Sequence, residues 1–307
     1  MKLVFLGTPD FAVPSLERII ASKHEILAVV TQPDKPVGRN NVLTPSPVKV
    51  CALKHGLKVL QYNKIRVEGV GDLKNLAPDI MVTCAFGQIL SQEIIDIAPR
   101  GIINVHASLL PKYRGAAPIQ YSVINGDTET GVTIMQTEAG IDTGDILSVE
   151  KTPIDPDETA GELFERLSEL GAKLIVETLD KIEAGKITPV KQDETKATHV
   201  KMLTRETGKI DWTKSAKDIK NLVRGTNPWP AAHTFLNGKT LKIFVVDALD
   251  GDFDGQIGEV LRADKKLVVK CGQGAVEILE IQSEGGKRMS ATAFDAGRKI
   301  LKGDILK

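Results

Sequence analysis

Asn104, His106 and Asp142 are the residues whose types and spacing could do chemistry together, and all lie within residues 101–145, GIINVHASLLPKYRGAAPIQYSVINGDTETGVTIMQTEAGIDTGD. A histidine exchanges protons near neutrality, and a carboxylate partner fixes its tautomer. An asparagine amide is a neutral donor that can hold a developing oxyanion without itself attacking. The stretch offers no cysteine and no activated serine, so an acyl-enzyme is not indicated. The set fits direct attack of an external amine on a carbonyl, with the protein stabilising the tetrahedral intermediate and moving protons. Plainer readings stand beside this one. Asn-x-His at a strand end also serves as a hydrogen-bonded structural pair, and Asp142 before Thr-Gly also serves as a turn former. His106 and Asp142 lack a third ligand at a metal-binding spacing, so no metal is expected.

The elements around these residues must bring them to one place. Ile102–Val105 reads as a buried strand, and its period of two sends Asn104 and His106 to the same face. A helix is expected over 117–125, and a second strand over 131–137 runs into the Gly- and Asp-rich turn that carries Asp142. Upstream, a buried strand (2–6), the turn Gly7-Thr8-Pro9-Asp10, a helix (11–21) and a strand (27–31) open a doubly wound, mostly parallel sheet. Only Gly7 stands where a dinucleotide fingerprint needs three glycines, and no acid closes the second strand, so a dinucleotide cofactor is not expected. Residues 32–47, with four prolines and a Gly-Arg-Asn-Asn tip, read as an exposed loop, long enough to be functional, with Arg39 at its tip.

The alternation continues with a helix at 47–55, its Val48, Cys51 and Ala52 facing inward, a strand at 58–60, a helix at 67–76 and a buried strand at 79–85. A strand at 146–149, a helix at 159–184 and an extended piece at 186–190 follow. Residues 1–190 form the expected first domain, 191–209 a polar linker, and 210–307 a second domain. There a helix (215–224) leads to Asn227-Pro-Trp-Pro230, a turn expected to bury Trp229. Short strands at 232–236, 241–248, 255–261, 266–270 and 275–282 then predict a small barrel or sandwich, closed by a helix at 290–301.

A chain of 307 residues, 42% hydrophobic and 26% charged, has ordinary globular composition and enough length for two cores. It has neither a bilayer-length apolar run nor a signal-peptide layout. Cys51, Cys84 and Cys271 lie far apart, as expected of reduced core thiols in a cytoplasmic protein. Net charge is zero, yet residues 207–307 hold 17 basic and 13 acidic side chains, which leaves 23 basic against 27 acidic for 1–206. This tilts the second half slightly toward an anionic partner.

Asn104-Val-His106-Ala-Ser108-Leu-Leu-Pro111, Tyr113-Arg-Gly115-Ala-Ala-Pro118, Gly131-Val-Thr-Ile and Ile141-Asp142-Thr-Gly144 resemble the folate-dependent formyltransferase family. Phe5-Leu-Gly-Thr-Pro-Asp-Phe-Ala, Thr31-Gln-Pro-Asp, Thr44-Pro-Ser-Pro-Val-Lys49, Asp211-Trp, Asn227-Pro-Trp-Pro230 and Gly286-Lys-Arg-Met289 extend the resemblance from end to end, toward the branch that acts on charged initiator tRNA. The resemblance implies a formyltransferase, Rossmann-like catalytic domain and a C-terminal OB-like β-barrel that binds tRNA. It implies transfer of the formyl group of 10-formyltetrahydrofolate, without a metal, to the α-amine of methionine esterified to initiator tRNA, in translation initiation.

Residue by residue, the resemblance makes Asn104 the holder of the oxyanion. His106 polarises the formyl oxygen and moves protons, and Asp142 orients His106 and assists amine deprotonation. Folate is expected against Phe86, Gly87, Gln88, Ile89 and Leu90 and the loop Glu138, Ala139, Gly140 and Ile141, with Ser108, Leu109, Leu110 and Pro111 shaping the floor. The tRNA is expected to meet Arg39 and Lys35 on the 32–47 loop, which resembles an insertion entering the acceptor stem, and Lys191, Lys201 and Arg205 near the linker. A monomer is expected. The rivals are a formyltransferase acting on a sugar-nucleotide or glycinamide-ribotide amine and a non-catalytic tRNA- or folate-binding protein.

Overall fold

The computed structural model describes residues 1–38, 40–297 and 300–307, the side chain of Asp295 excepted. The chain divides into two compact units. The first comprises Met1–Gly115, Glu129–Pro153 and Phe164–His199, and the second Ala116–Thr128, Ile154–Leu163 and Val200–Lys307.

The first unit is built on a seven-stranded sheet. Its spatial order is Ile146–Pro153, Glu129–Gln136, Ile102–His106, Ile80–Cys84, Lys2–Gly7, Glu25–Thr31, Val59–Gln61. The last five pair in parallel, and Glu129–Gln136 and Ile146–Pro153 are added antiparallel at one edge. Leu3 to Leu6 and Ile80 to Val82 are fully buried, as central parallel strands covered on both faces require. Gly7 ends the first strand because a Cβ there would lie 2.8 Å from the Phe5 ring and 2.9 Å from Ala12. The chain leaves the central strand Lys2–Gly7 toward one edge and returns to its other side at Ile80–Cys84. A topological switch point therefore lies between these two strands, and a crevice at their carboxyl ends is where such sheets take ligands.

The helix at 47–55 spans Pro47–Lys54, with Pro47 at its start and the Ser46 hydroxyl accepting from Lys49 N at 3.1 Å. Val48, Cys51 and Ala52 are buried as the pattern predicts. The helix expected over 67–76 is instead two pieces, Ile65–Glu68 and Val70–Leu76, parted at Gly69, whose backbone ends the first. The segment at 32–47, expected as plain loop, contains a two-stranded hairpin, Lys35–Val37 against Val42–Thr44. Pro36 is tolerated there because neither strand joins the large sheet.

The second unit carries an antiparallel sheet in the order Ala232–Leu236, Lys239–Leu249, Ala275–Ser283, Leu267–Lys270, Val260–Ala263, with Met289–Ser290 pairing to Ala275–Ser283. This matches the expected OB-like class. Two elements are shorter than the sequence predicts. The strand at 255–261 begins at Val260, because Ile257 and Gly258 form a turn and Glu259 bridges Ile305 instead, and the closing helix within the described residues is Ala291–Ala296. The tryptophan expectation is reversed. Trp229 is 56% exposed at the Asn-Pro-Trp-Pro turn, and Trp212 is the buried one, its indole N–H satisfied by Thr234 Oγ1 at 3.0 Å. Two prolines flanking Trp229 shape a turn, but nothing in them demands burial of the ring between.

Candidate active site

The strand Ile102–His106 and the turn after Glu129–Gln136 bring two of the three expected catalytic residues together. His106 Nδ1 lies 3.6 Å from Asp142 Oδ2. That is a charge contact but too long for a hydrogen bond. His106 Nε2 is 3.0 Å from the Tyr113 carbonyl. A carbonyl only accepts, so Nε2 carries a hydrogen and Nδ1 is the nitrogen left to exchange a proton. Asp142 sits in the left-handed region at φ 53, which its short polar side chain tolerates, and its Oδ2 accepts from Gly115 N at 2.8 Å. His106 is 5% exposed, so little water reaches between it and Asp142.

Asn104 stands two residues before His106 on the same strand face, opposite Met135 and beside Thr83 in the parallel register. The Thr83 hydroxyl donates to Asn104 Oδ1 at 2.8 Å. With the oxygen end committed, the amide NH2 is the end left for an incoming oxygen. Thr83, a polar residue in the apolar run Ile-Met-Val-Thr-Cys, was missed by sequence reasoning although its place in that run was visible.

At the switch point, Thr8 Oγ1 donates to the Phe86 carbonyl at 3.0 Å, and Gln32 Nε2 donates to the Phe86 and Gly87 carbonyls at 3.1 and 3.2 Å. Of the residues expected to meet folate, Phe86 is buried and Ile89 is exposed, while Leu90 packs on the core. The Gln88 side chain is spent internally, donating to Tyr62 O at 2.8 Å and accepting from Ile65 N at 2.9 Å, so only its backbone remains available. Ser108 is buried and donates to Lys112 O at 2.7 Å, while Thr133 Oγ1 donates to Ser108 O at 2.7 Å and accepts from Leu110 N. Leu109 lies against Gly131, and the Leu110–Pro111 peptide is cis. Glu138, Ala139, Gly140 and Ile141 form an exposed rim. Gly144 closes that turn because a Cβ there would lie 2.0 Å from the Gln136 carbonyl.

The segment read as a linker contributes directly. Gln192 Nε2 donates to the carbonyls of Asp142 at 2.8 Å and Gly144 at 2.7 Å. Its Oε1 accepts from Arg114 Nε and Nη2 at 3.0 and 2.8 Å. Arg114 is 1% exposed and completes its fork on both oxygens of Glu194, at 2.9 and 2.7 Å. Tyr113 N donates to Thr198 Oγ1 at 2.8 Å, which fixes the residue whose carbonyl holds His106. No periodicity marks Gln192 or Thr198, because a polar side chain that grips another loop looks like a solvated one.

The turn carrying Glu194 is capped by Asp193. The Thr195 hydroxyl first, then Lys196 and the Thr195 amide, hold the Asp193 carboxyl down to about 2 from the ordinary 3.8. A depressed carboxylate stabilises the fold above the unfolded value, and that contribution fades as pH falls from about 3.8 through about 2. Asp193→Ala is therefore expected to lower the urea midpoint near neutrality, by an amount that narrows below pH 4. A pH-independent gap would count against the cap.

Lys35 is exposed and donates to Gln32 Oε1 at 2.6 Å, so the hairpin root and the Phe86–Gly87 carbonyls share one glutamine. Lys191, Lys201 and Arg205 are exposed, and Arg39 lies outside the described residues. The thiols are buried and free, and burial pushes Cys84 and Cys271 up to about 12, so neither is a nucleophile at neutral pH. Among the described residues, two groups could hold a metal ion, Glu17 with Cys51 and His55, and His24 with Asp180 and Glu183. Neither includes Asn104, His106 or Asp142.

Residues 1–179 match the family described as formyl transferase, and residues 202–299 match the formyl transferase C-terminal domain. A methionyl-tRNA formyltransferase of Geotalea uraniireducens is 50% identical over 308 aligned residues, covering 100% of this chain and 98% of the relative. That of Agathobacter rectalis is 49% identical, covering 99% of each. Among solved structures, the N-formyltransferase of Helicobacter canadensis in complex with folinic acid and dTDP-3-aminofucose superposes with TM-score 0.70 at 22% identity, over 92% of this chain and 100% of that one. HypX from Aquifex aeolicus in complex with tetrahydrofolic acid gives TM-score 0.65 at 16% identity, over 96% of this chain and 46% of that one. These two likenesses are of fold. A buried histidine–carboxylate contact, a tethered asparagine and end-to-end identity near one half lead to one placement: the chain belongs to the formyl transferase family, on the branch of the methionyl-tRNA formyltransferases.

Proposed function

We infer that this chain transfers the formyl group of 10-formyltetrahydrofolate to the α-amine of methionyl initiator tRNA. The observation that carries the chemistry is the 3.6 Å contact of His106 Nδ1 with Asp142, with Asn104 held on the same strand face. The free amine attacks the formyl carbon, and the carbonyl oxygen becomes an oxyanion. The Asn104 NH2 donates to that oxyanion; His106 takes a proton at Nδ1 from the attacking nitrogen, Asp142 balances the imidazolium charge, and the new Nδ1 hydrogen faces the oxyanion. Collapse breaks the bond from carbon to the folate N10, which takes that proton from His106 as it leaves and so returns the imidazole to its starting state. Phe86–Leu90, Ser108–Pro111 and Glu138–Ile141 bound the folate.

In this reading the first unit carries the reaction, with the segment up to His199 belonging to it rather than serving as a linker, and residues 210–307 hold the tRNA. Arg39, Lys35, Lys191, Lys201 and Arg205 contact the tRNA. The enzyme works as a cytoplasmic monomer. No helix among the described residues is long and apolar enough to cross a membrane.

The test is a formylation assay with charged initiator and elongator tRNA and a free amino sugar nucleotide. Formylation of the initiator alone is expected, with KM for tRNA rising at least about tenfold between about 50 and 200 mM salt as phosphate contacts are screened. Formylation of the sugar with the tRNA ignored overturns the reading, and a flat salt response removes the basic surface from it.

A further inference from the structure

We propose that Gln192 is a positioning residue for formyl transfer, setting the place of the Asp142 carboxylate from outside the turn that carries it. The inference rests on the formyl-transfer reading. Its basis is that the two ends of one amide do two jobs. The NH2 donates to the Asp142 and Gly144 carbonyls, and the oxygen is held by Arg114. Glu194 fixes the far side of the guanidinium, so the amide cannot turn over without losing both sets of bonds.

The turn needs such a grip. Asp142 has a positive φ, Ile141 beside it is 70% exposed, and the Glu138–Ile141 rim offers no packing of its own. Gly115 N holds one carboxylate oxygen, but a single bond leaves the carboxylate free to swing about it. Fixing the backbone on both sides of Thr143 as well removes that freedom. The same short segment reaches the other catalytic residue, since Thr198 Oγ1 holds Tyr113 N and the Tyr113 carbonyl holds His106. The segment from Gln192 to Thr198 thus sets both partners of the 3.6 Å contact.

Gln192→Glu separates the two jobs. It keeps an acceptor for Arg114 but sets an oxygen against two carbonyls. Gln192→Met keeps the length and removes both donor and acceptor. Wild-type formylation of charged initiator tRNA is measured first, and its absence would sink the functional reading rather than this one. With that activity present, both variants should lose about 10²-fold in kcat, the order expected for a misplaced catalytic group, with KM for both substrates changed by less than about threefold. Melting of Gln192→Glu should stay close to wild type. In a cycle with Asp142→Asn, the double variant should lose far less than the product of the single losses, because a carboxylate already removed has no position left to spoil. Wild-type kcat in Gln192→Glu, a loss confined to KM, fully multiplicative losses, or loss of the folded state in both variants would each overturn the proposal.

Discussion

Replacing Asn104 with Ala is expected to lower kcat by about 10²–10³, the usual cost of removing one oxyanion donor. The contact with Thr83 offers a sharper version. Asn104→Asp keeps an oxygen to accept from the Thr83 hydroxyl and removes only the NH2. If the amide works by donating to the oxyanion, Asp is at least as inactive as Ala, because it adds a negative charge where one must develop. If Asn104 only fastens neighbouring strands, Asp restores what Ala loses. Single-turnover formylation with saturating folate and charged tRNA reads the difference, and melting temperatures show whether either variant has loosened the sheet. Near-wild-type turnover by Asn104→Asp would end the oxyanion assignment.

His106→Ala and Asp142→Asn are each expected to lower kcat by about 10²–10⁴, the range for a positioned proton-transfer group. Asp142→Asn isolates the charge, since its amide oxygen can still accept from Gly115 N and asparagine also tolerates the left-handed backbone. If the carboxylate acts through the imidazole it faces, the double variant should be little worse than the poorer single variant. Multiplicative losses would mean that Asp142 meets the amine independently of His106. Direct comparison of kcat across the three variants decides between one acid–base unit and two separate groups.

The order of elements in the first unit, the strand face shared by Asn104 and His106, and the turn holding Asp142 were legible in the residues. Strand period and turn chemistry are local, and the apolar runs of a parallel sheet announce themselves. The family motifs named the same three residues independently. Local signals were weaker where packing chose between equals. The 67–76 helix parted at Gly69, the Pro-rich segment found a hairpin pairing, and Trp212 rather than Trp229 entered a core.

What sequence alone determined was which side chains could react and which strand face or turn would carry them, because backbone period and residue chemistry act over a few neighbours. Only the tertiary structure decided how those side chains are held. Thr83 reaches Asn104 across a sheet register, Tyr113 gives its carbonyl to His106, and Gln192 crosses 50 positions of chain to grip Asp142. A hydrogen bond between distant segments leaves no periodic trace in either of them, since the geometry that makes it exists only after the chain has packed.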